Sequence, residues 1–310
     1  MAGRDSRADM LEEDPFKRNK PRIHRVHSRP VNSSTGQNVQ MNPLFAQLMG
    51  MSRHVPAEMH TGSIWHFSDE EKKHLRLATA AFTLALGFMV VGGLGGIGRL
   101  GLSSWLVQLL LSMPVMLLAV GPAFLFHEIG HKIIAKKNGC WAEFRADPGG
   151  LRFGLFISFF LGFLFMAPGA VMVAGLVTRR QNGHIAVAGP LVNLGLFIIG
   201  IPLWGIILGL TGAFEAVDSS ASTFAPYLAD GALQWQQMLI DAGVFWISAN
   251  LILGLFNMIP FGPLDGLKVK DWNENAFYIV ISIFTILLAS WWLLGVWSPE
   301  SLLSSIASLF

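Results

Sequence analysis

The chain has 310 residues, of which 52% are hydrophobic and only 14% charged, with a mean hydropathy of +0.50. Those values exclude an ordinary soluble protein and point to one embedded in a membrane. A formal net charge of +2 says little as a total, no nucleic-acid partner is expected, and the single cysteine, Cys140, excludes both a disulfide framework and a thiolate metal cage.

Residues 1–66 form a polar tail rich in Arg, Asn, Ser and Pro, without helical periodicity, and read as largely disordered. The first 40 residues contain no apolar h-region, so no secretory signal peptide is expected. The basic stretch Lys17 to Arg29 suits either weak contact with anionic headgroups or plain solvation. His24, His27, His54 and His60 lack metal-ligand spacing.

Ser68-Asp69-Glu70-Glu71 reads as a capping box, followed by Lys72, Lys73 and Arg76 and then an apolar helix expected over Leu77–Gly98. The glycine-rich stretch Gly92 to Gly101 has no Lys-Ser/Thr after it and reads as a tight turn, not a phosphate loop. A second span is expected from Leu102 to Phe126, continuing as helix to about Lys137. Phe153 to Leu176 is long enough to cross, but Ala167-Pro168-Gly169 breaks it, and Arg145, Arg152, Arg179 and Arg180 flank both ends. A re-entrant or sheet-like element with both ends on one side fits better, tolerated because it is buried in protein.

Further spans are expected at Ile185–Leu210, Leu239–Phe261 and Ala276–Trp297, and Ser298–Phe310 reads as a short interfacial helix. The fold class is therefore an all-α polytopic membrane protein of about five to six transmembrane helices, with its main domain over residues 67–297. The loop between the first two of these last spans carries Glu215, Asp218 and Asp230 and no basic residue. With the amino terminus cytosolic, 21 of the 22 basic residues lie inside and only Arg99 outside, which orients the chain in a plasma membrane.

The chemistry sits at the end of the second span, in His127-Glu128-Ile129-Gly130-His131. Histidines four apart share a helix face, as two ligands of one metal ion require, and the glutamate between them can hold or deprotonate a metal-bound water. A capped helix end or an interfacial histidine pair is the bland alternative, but ionisable groups at membrane depth are costly and imply function. Zinc needs a third protein ligand. Asp241 lies at the opposite end of its span, whereas Asp265 follows a span that ends at the depth of the histidines, after two prolines and two glycines that break regular helix. Asn250 and Asn257 share a helix face, suited equally to substrate contact or to a helix–helix hydrogen bond. His184 suits an interfacial histidine better than an oxyanion donor.

Phe126-His127-Glu128-Ile129-Gly130-His131 resembles the first signature of the site-2 protease family of intramembrane zinc metalloproteases. Leu264-Asp265-Gly266, after an Asn-x-x-Pro element, resembles the second, and Ala188-Gly189-Pro190-Leu191-Val192-Asn193 the pattern between them. The resemblance covers roughly Phe67 to Trp297 and is to minimal members lacking PDZ or CBS inserts; Leu267 stands where a second glycine is common. It implies zinc ligation by His127, His131 and Asp265, acid/base catalysis by Glu128, and a substrate or oxyanion role for Asn193, with Asn257 a further candidate. The implied activity is cleavage of transmembrane segments of other membrane proteins near the cytosolic face. The oligomeric state is left open. A non-catalytic receptor or chaperone that kept the fold is the competing reading, and a transporter the third.

Overall fold

The structure, a computed structural model, describes residues 63–166, 168–174, 177–217, 227–229 and 231–310. The expected tail therefore falls almost wholly outside the described residues, as do Asp218 and Asp230.

The first helix, α1, is Asp69–Val90, capped by Ser68, whose hydroxyl accepts from the Glu71 N–H at 3.2 Å. Only half of the expected capping box forms. The Glu71 carboxylate turns inward, pairs with Lys132 and accepts the Phe144 N–H at 3.0 Å. The helix also ends eight residues earlier than the hydropathy pattern suggests. Gly92 and Gly93 adopt φ of +74° and +56°, which turns the chain, and the Trp105 indole N–H donates to the Gly93 carbonyl at 2.8 Å. The rest of the glycine stretch forms the short helix α2, Gly95–Leu100.

Helix α3, Leu102–Lys137, has 36 residues, about 54 Å at 1.5 Å per residue. It outruns a hydrocarbon core of about 30 Å, so its Lys-rich last turns can lie beyond it. Strand β1 (Trp141–Ala146) follows, then helix α4 (Pro148–Leu161), then strand β2 (Gly169–Ala174). At 14 residues, α4 reaches about 21 Å and falls short of a crossing. Gly162, in the left-handed conformation, ends it. The chain then returns so that β2 pairs antiparallel with β1, Ala146 opposite Gly169 and Trp141 opposite Ala174. The element over Phe153–Leu176 is thus a helix and a strand that doubles back.

Helix α5 (Arg179–Leu210) opens with a complete capping box between Thr178 and Gln181. The one-turn helix α6 (Ala213–Ala216) and the two-residue strands β3 (Leu228–Ala229) and β4 (Ala232–Leu233) lead to α7, Trp235–Asn257. Helix α8 (Asp265–Trp272), α9 (Glu274–Trp292) and α10 (Pro299–Ala307) complete the fold.

Helices α3, α5 and α7 pack on one another and form the centre of the bundle. Helix α1 packs along α3, α8 on α5, α9 on α7 and α8, and α10 on α5 and α7. Among the described residues, four helices, α3, α5, α7 and α9, are long and apolar enough to cross a membrane. In α1, six charged residues fall within the first eight, leaving residues 77–90, an apolar part of about 21 Å. Large apolar side chains such as Leu110, Ile199 and Ile286 are more than three-fifths exposed, as expected where the solvent is lipid. The protein is an all-α multi-pass membrane protein with two small two-stranded antiparallel sheets among the described residues, β1–β2 and β3–β4.

Candidate metal centre

His127 and His131 lie on the inner face of α3, and Asp265 is the first residue of α8; all three are buried. Asp265 reaches them because α7 stops at Asn257 and the chain passes through Pro260 and Pro263, where regular helix cannot continue. One carboxylate oxygen, Oδ2, stands 3.3 Å from His127 Nε2 and 3.0 Å from His131 Nε2, and the two Nε2 atoms are 3.0 Å apart. Three ligand atoms at about 2.0–2.1 Å from a tetrahedral zinc ion would stand about 3.3–3.4 Å apart. The triangle is already close to that size.

The hydrogen bonds around the rings decide their tautomers. The Asn250 amide N–H donates to the Trp246 carbonyl at 2.9 Å, so its Oδ1 faces Asn193. Asn193 donates through Nδ2 to that oxygen at 2.9 Å and to the Ala123 carbonyl at 3.0 Å. Its Oδ1 is therefore an acceptor, and His127 Nδ1–H donates to it at 2.6 Å. His131 Nδ1–H donates to the Ile185 carbonyl at 2.7 Å. With both protons on Nδ1, both neutral rings aim Nε2 lone pairs at each other and at a carboxylate. Lys268 Nζ, 3.5 Å from Asp265 Oδ1, faces the other carboxylate oxygen and not the point where the three ligand atoms converge. A cation at that point offsets the repulsion.

Three further observations fit a metal. A Cβ on Gly189 would fall 2.5 Å from both Nε2 atoms, so α5 must be bare backbone there. A Cβ on Gly130 would meet Val192 Cγ2 at 2.9 Å and the Ala188 carbonyl at 3.3 Å, which is why α3 and α5 can come this close. Glu128 is half-buried, its Oε2 has no hydrogen-bond partner among the described residues, and the backbone N–H of Val171 in β2 lies against its carboxylate. An unpaired buried carboxylate oxygen is expensive unless it has work to do. His127, His131 and Asp265 suit zinc as one carboxylate and two imidazoles, leaving a fourth position open.

The structure brings together His127, Glu128, His131, Asp265 and Asn193. All three hydrogen bonds of the Asn193 side chain go to the protein. Asn250 makes the interhelical bond, whereas the Asn257 amide donates to the Leu253 carbonyl of its own helix at 3.0 Å. His184 packs edge-on against Trp272. At the far end of α7, Asp241 accepts from the Tyr227 hydroxyl at 2.7 Å and from Gln237 Nε2 at 2.8 Å. Sequence reasoning missed the Ile185 carbonyl, the proximity of Val171 and the tightness at Gly189; only the last carried a signal, since it lies inside the Ala-Gly-Pro motif.

The last turns of α3 are tied to α1. Lys132, next to His131, is fully buried, pairs with Glu71 and lies over the Phe67 ring at 3.4 Å, while Lys136 Nζ donates to the His66 carbonyl at 2.7 Å. The Ala146 N–H donates to His74 Nδ1 at 3.0 Å, so α1 also holds β1.

Residues 115–271 match the model of Peptidase family M50, a stretch that contains every residue of this centre. Over 167 residues the chain is 37% identical to a protein of Methanocaldococcus jannaschii provisionally named a zinc metalloprotease, covering 54% of this chain and 74% of that one. In an alignment also of 167 residues it is 25% identical to a Bacillus subtilis protein of the same provisional description, covering 51% of this chain and 68% of that one. No solved structure matches. The chain belongs to Peptidase family M50, the site-2 proteases, and is a metalloprotease whose cofactor is zinc.

Proposed function

We propose that the protein is an endopeptidase that hydrolyses transmembrane segments of other membrane proteins within the bilayer, near the cytosolic face. The observation that carries this reading is the position of the buried His127–His131–Asp265 triangle. It is built on a helix long and apolar enough to cross a membrane, with His131 only six residues, about 9 Å, from the helix end at Lys137. The excess of basic residues at that end of the bundle supports a cytosolic placement in a plasma membrane, amino terminus inside.

A zinc ion held by His127, His131 and Asp265 would supply a Lewis acid, polarising the scissile carbonyl and acidifying water. Glu128 takes a proton from the attacking water as its oxygen bonds to the carbonyl carbon. As the C–N bond breaks, the same carboxyl passes that proton to the leaving amine. Asn193 and the Ile185 carbonyl hold the imidazoles in the tautomers that leave Nε2 free, a positioning role.

A helix in lipid hides its amides in its own hydrogen bonds, so it must unwind before it is cut. Strand β2 pairs with β1 along one edge, has no second partner among the described residues, and brings Val171 to Glu128. The other edge of β2 suits addition of an extended substrate strand. A proline scan across Gly169–Ala174 should lower cleavage without lowering zinc content, and unchanged cleavage would remove the strand-addition step.

The test of the activity is reconstitution. Wild-type protein and Glu128→Gln are placed in liposomes with a single-span peptide whose helix carries a Gly-Pro break, in water enriched in oxygen-18. Wild type should yield a new carboxylate bearing one heavy oxygen inside the apolar segment, and the variant none. Cleavage only in flanking soluble residues, or equal cleavage by both, would refute the proposal.

A further inference from the structure

Between α1 and α3 runs a groove of about 890 Å³, none of whose lining residues is a candidate metal ligand. Its lining includes Lys72 and Arg76 at one end, and its walls are mainly apolar, with Ala80, Met113, Leu117 and Leu125 beside Thr79 and Thr83. We propose that this groove binds one anionic glycerophospholipid from the leaflet on the metal centre's side.

Depth argues for a lipid. Along α1 the lining runs from Lys72 to Thr83 and along α3 from Leu125 to Met113, rises of about 16 and 18 Å at 1.5 Å per residue. Half of a hydrocarbon core is about 15 Å. The groove is therefore one leaflet deep, whereas a transmembrane helix needs both. Below it the two helices close on each other. A Cβ on Gly87 would stand 2.9 Å from Leu109 Cδ1 and 3.4 Å from Ser112 Oγ, so only glycine lets α3 seal the floor. The volume agrees, since a helix about 10 Å wide and 30 Å long fills about 2,400 Å³.

Charge selects the headgroup. Lys72 pairs with Asp69 at 3.1 Å, but both side chains are exposed (54% and 101%), and such pairs are weak. The Arg76 Nε–H donates to the Lys72 carbonyl at 3.3 Å, and among the described residues Arg76 forms no ion pair. A phosphodiester can take the remaining guanidinium donors. An acyl chain gains little by leaving bulk lipid, since lipid tails are as apolar as the groove. Selectivity therefore comes from the two cations, and their attraction to an anionic headgroup corresponds to a preference of about 30-fold. Leu125 is two residues from His127, so the lipid would brace α3 beside the metal ligands.

The experiment uses the full chain from nanodiscs of phosphatidylglycerol and phosphatidylcholine, with retained lipid counted by native mass spectrometry. Wild type should keep one phosphatidylglycerol at about 30-fold preference. The double variant Lys72→Gln/Arg76→Gln should approach parity, and Ala80→Trp, which fills the groove, should lose the lipid. A benzophenone amino acid at the exposed Leu117 of an otherwise wild-type chain should cross-link phosphatidylglycerol, a readout that no folding defect at position 80 can confuse. Equal retention of both lipids, retention by Ala80→Trp of wild-type amounts, or cross-linking to a peptide segment instead of lipid would overturn the proposal.

Discussion

Gly189→Ala offers a sharp probe of the metal centre, because it adds one methyl and replaces no ligand. Its Cβ would stand 2.5 Å from both His127 Nε2 and His131 Nε2, and 2.6 Å from His127 Cε1. Ordinary carbon–nitrogen contact begins at about 3.4 Å, so the rings or α5 must give way by about 0.9 Å. The rings have little room to retreat. His127 is pinned by Asn193 at 2.6 Å and His131 by the Ile185 carbonyl at 2.7 Å. A zinc site tolerates ligand displacements of about 0.2 Å, several times less than the methyl demands. Loss of the supporting bonds alone costs about 10–100-fold in affinity, so at least about 100-fold is expected, or about 2.7 kcal/mol. The assay is zinc competition against a chelator of known affinity in detergent, with circular dichroism confirming helix content. Gly189→Ala protein that is fully folded and binds zinc like wild type would refute the geometry.

Other perturbations separate the roles of neighbouring residues. Glu128→Gln should keep stoichiometric zinc yet lose about 10²–10⁴-fold in cleavage, whereas His127→Ala should lose zinc itself; metal analysis beside a cleavage assay distinguishes them. Asn193→Ala should weaken zinc about 10–100-fold with helix content intact, and unchanged affinity would show that the His127 tautomer needs no such partner. Glu71→Ala strands the buried Lys132 ammonium and should cost about 3–5 kcal/mol in unfolding, while the additional change Lys132→Met should recover most of it. Burial pushes the Cys140 thiol above its ordinary range, which shrinks the thiolate fraction at any pH below that raised value. Alkylation at pH 8 should therefore be at least about tenfold slower in folded protein than after unfolding, and equal rates would contradict its burial.

Much of the centre is legible in one dimension because helical periodicity is local. His127 and His131 share a face whatever surrounds them, and depth in the membrane is enough to favour Asp265 over Asp241. The break at Pro168-Gly169 likewise announces a chain reversal, since backbone at membrane depth cannot stay unpaired. Features that depend on what another helix brings are not legible in this way. Glu71 reads as the third residue of a capping box, yet Lys132, 61 residues away, claims its carboxylate. Leu77–Gly98 reads as one apolar run because hydropathy ignores the positive φ at Gly92 and Gly93. Nothing in the sequence tells that Asn250, Ala123 and His127 occupy the side-chain oxygen and nitrogen of Asn193.

The central claim is that one zinc ion lies between His127, His131 and Asp265. Zinc K-edge X-ray absorption on the full chain in a lipid bilayer, paired with metal content, tests it most directly. The account predicts one zinc per chain, two imidazole nitrogens and oxygen ligands at about 2.0–2.2 Å, with the imidazole scattering lost in His127→Ala. Zinc bound without imidazole, or stoichiometric zinc retained after loss of both histidines, would contradict it.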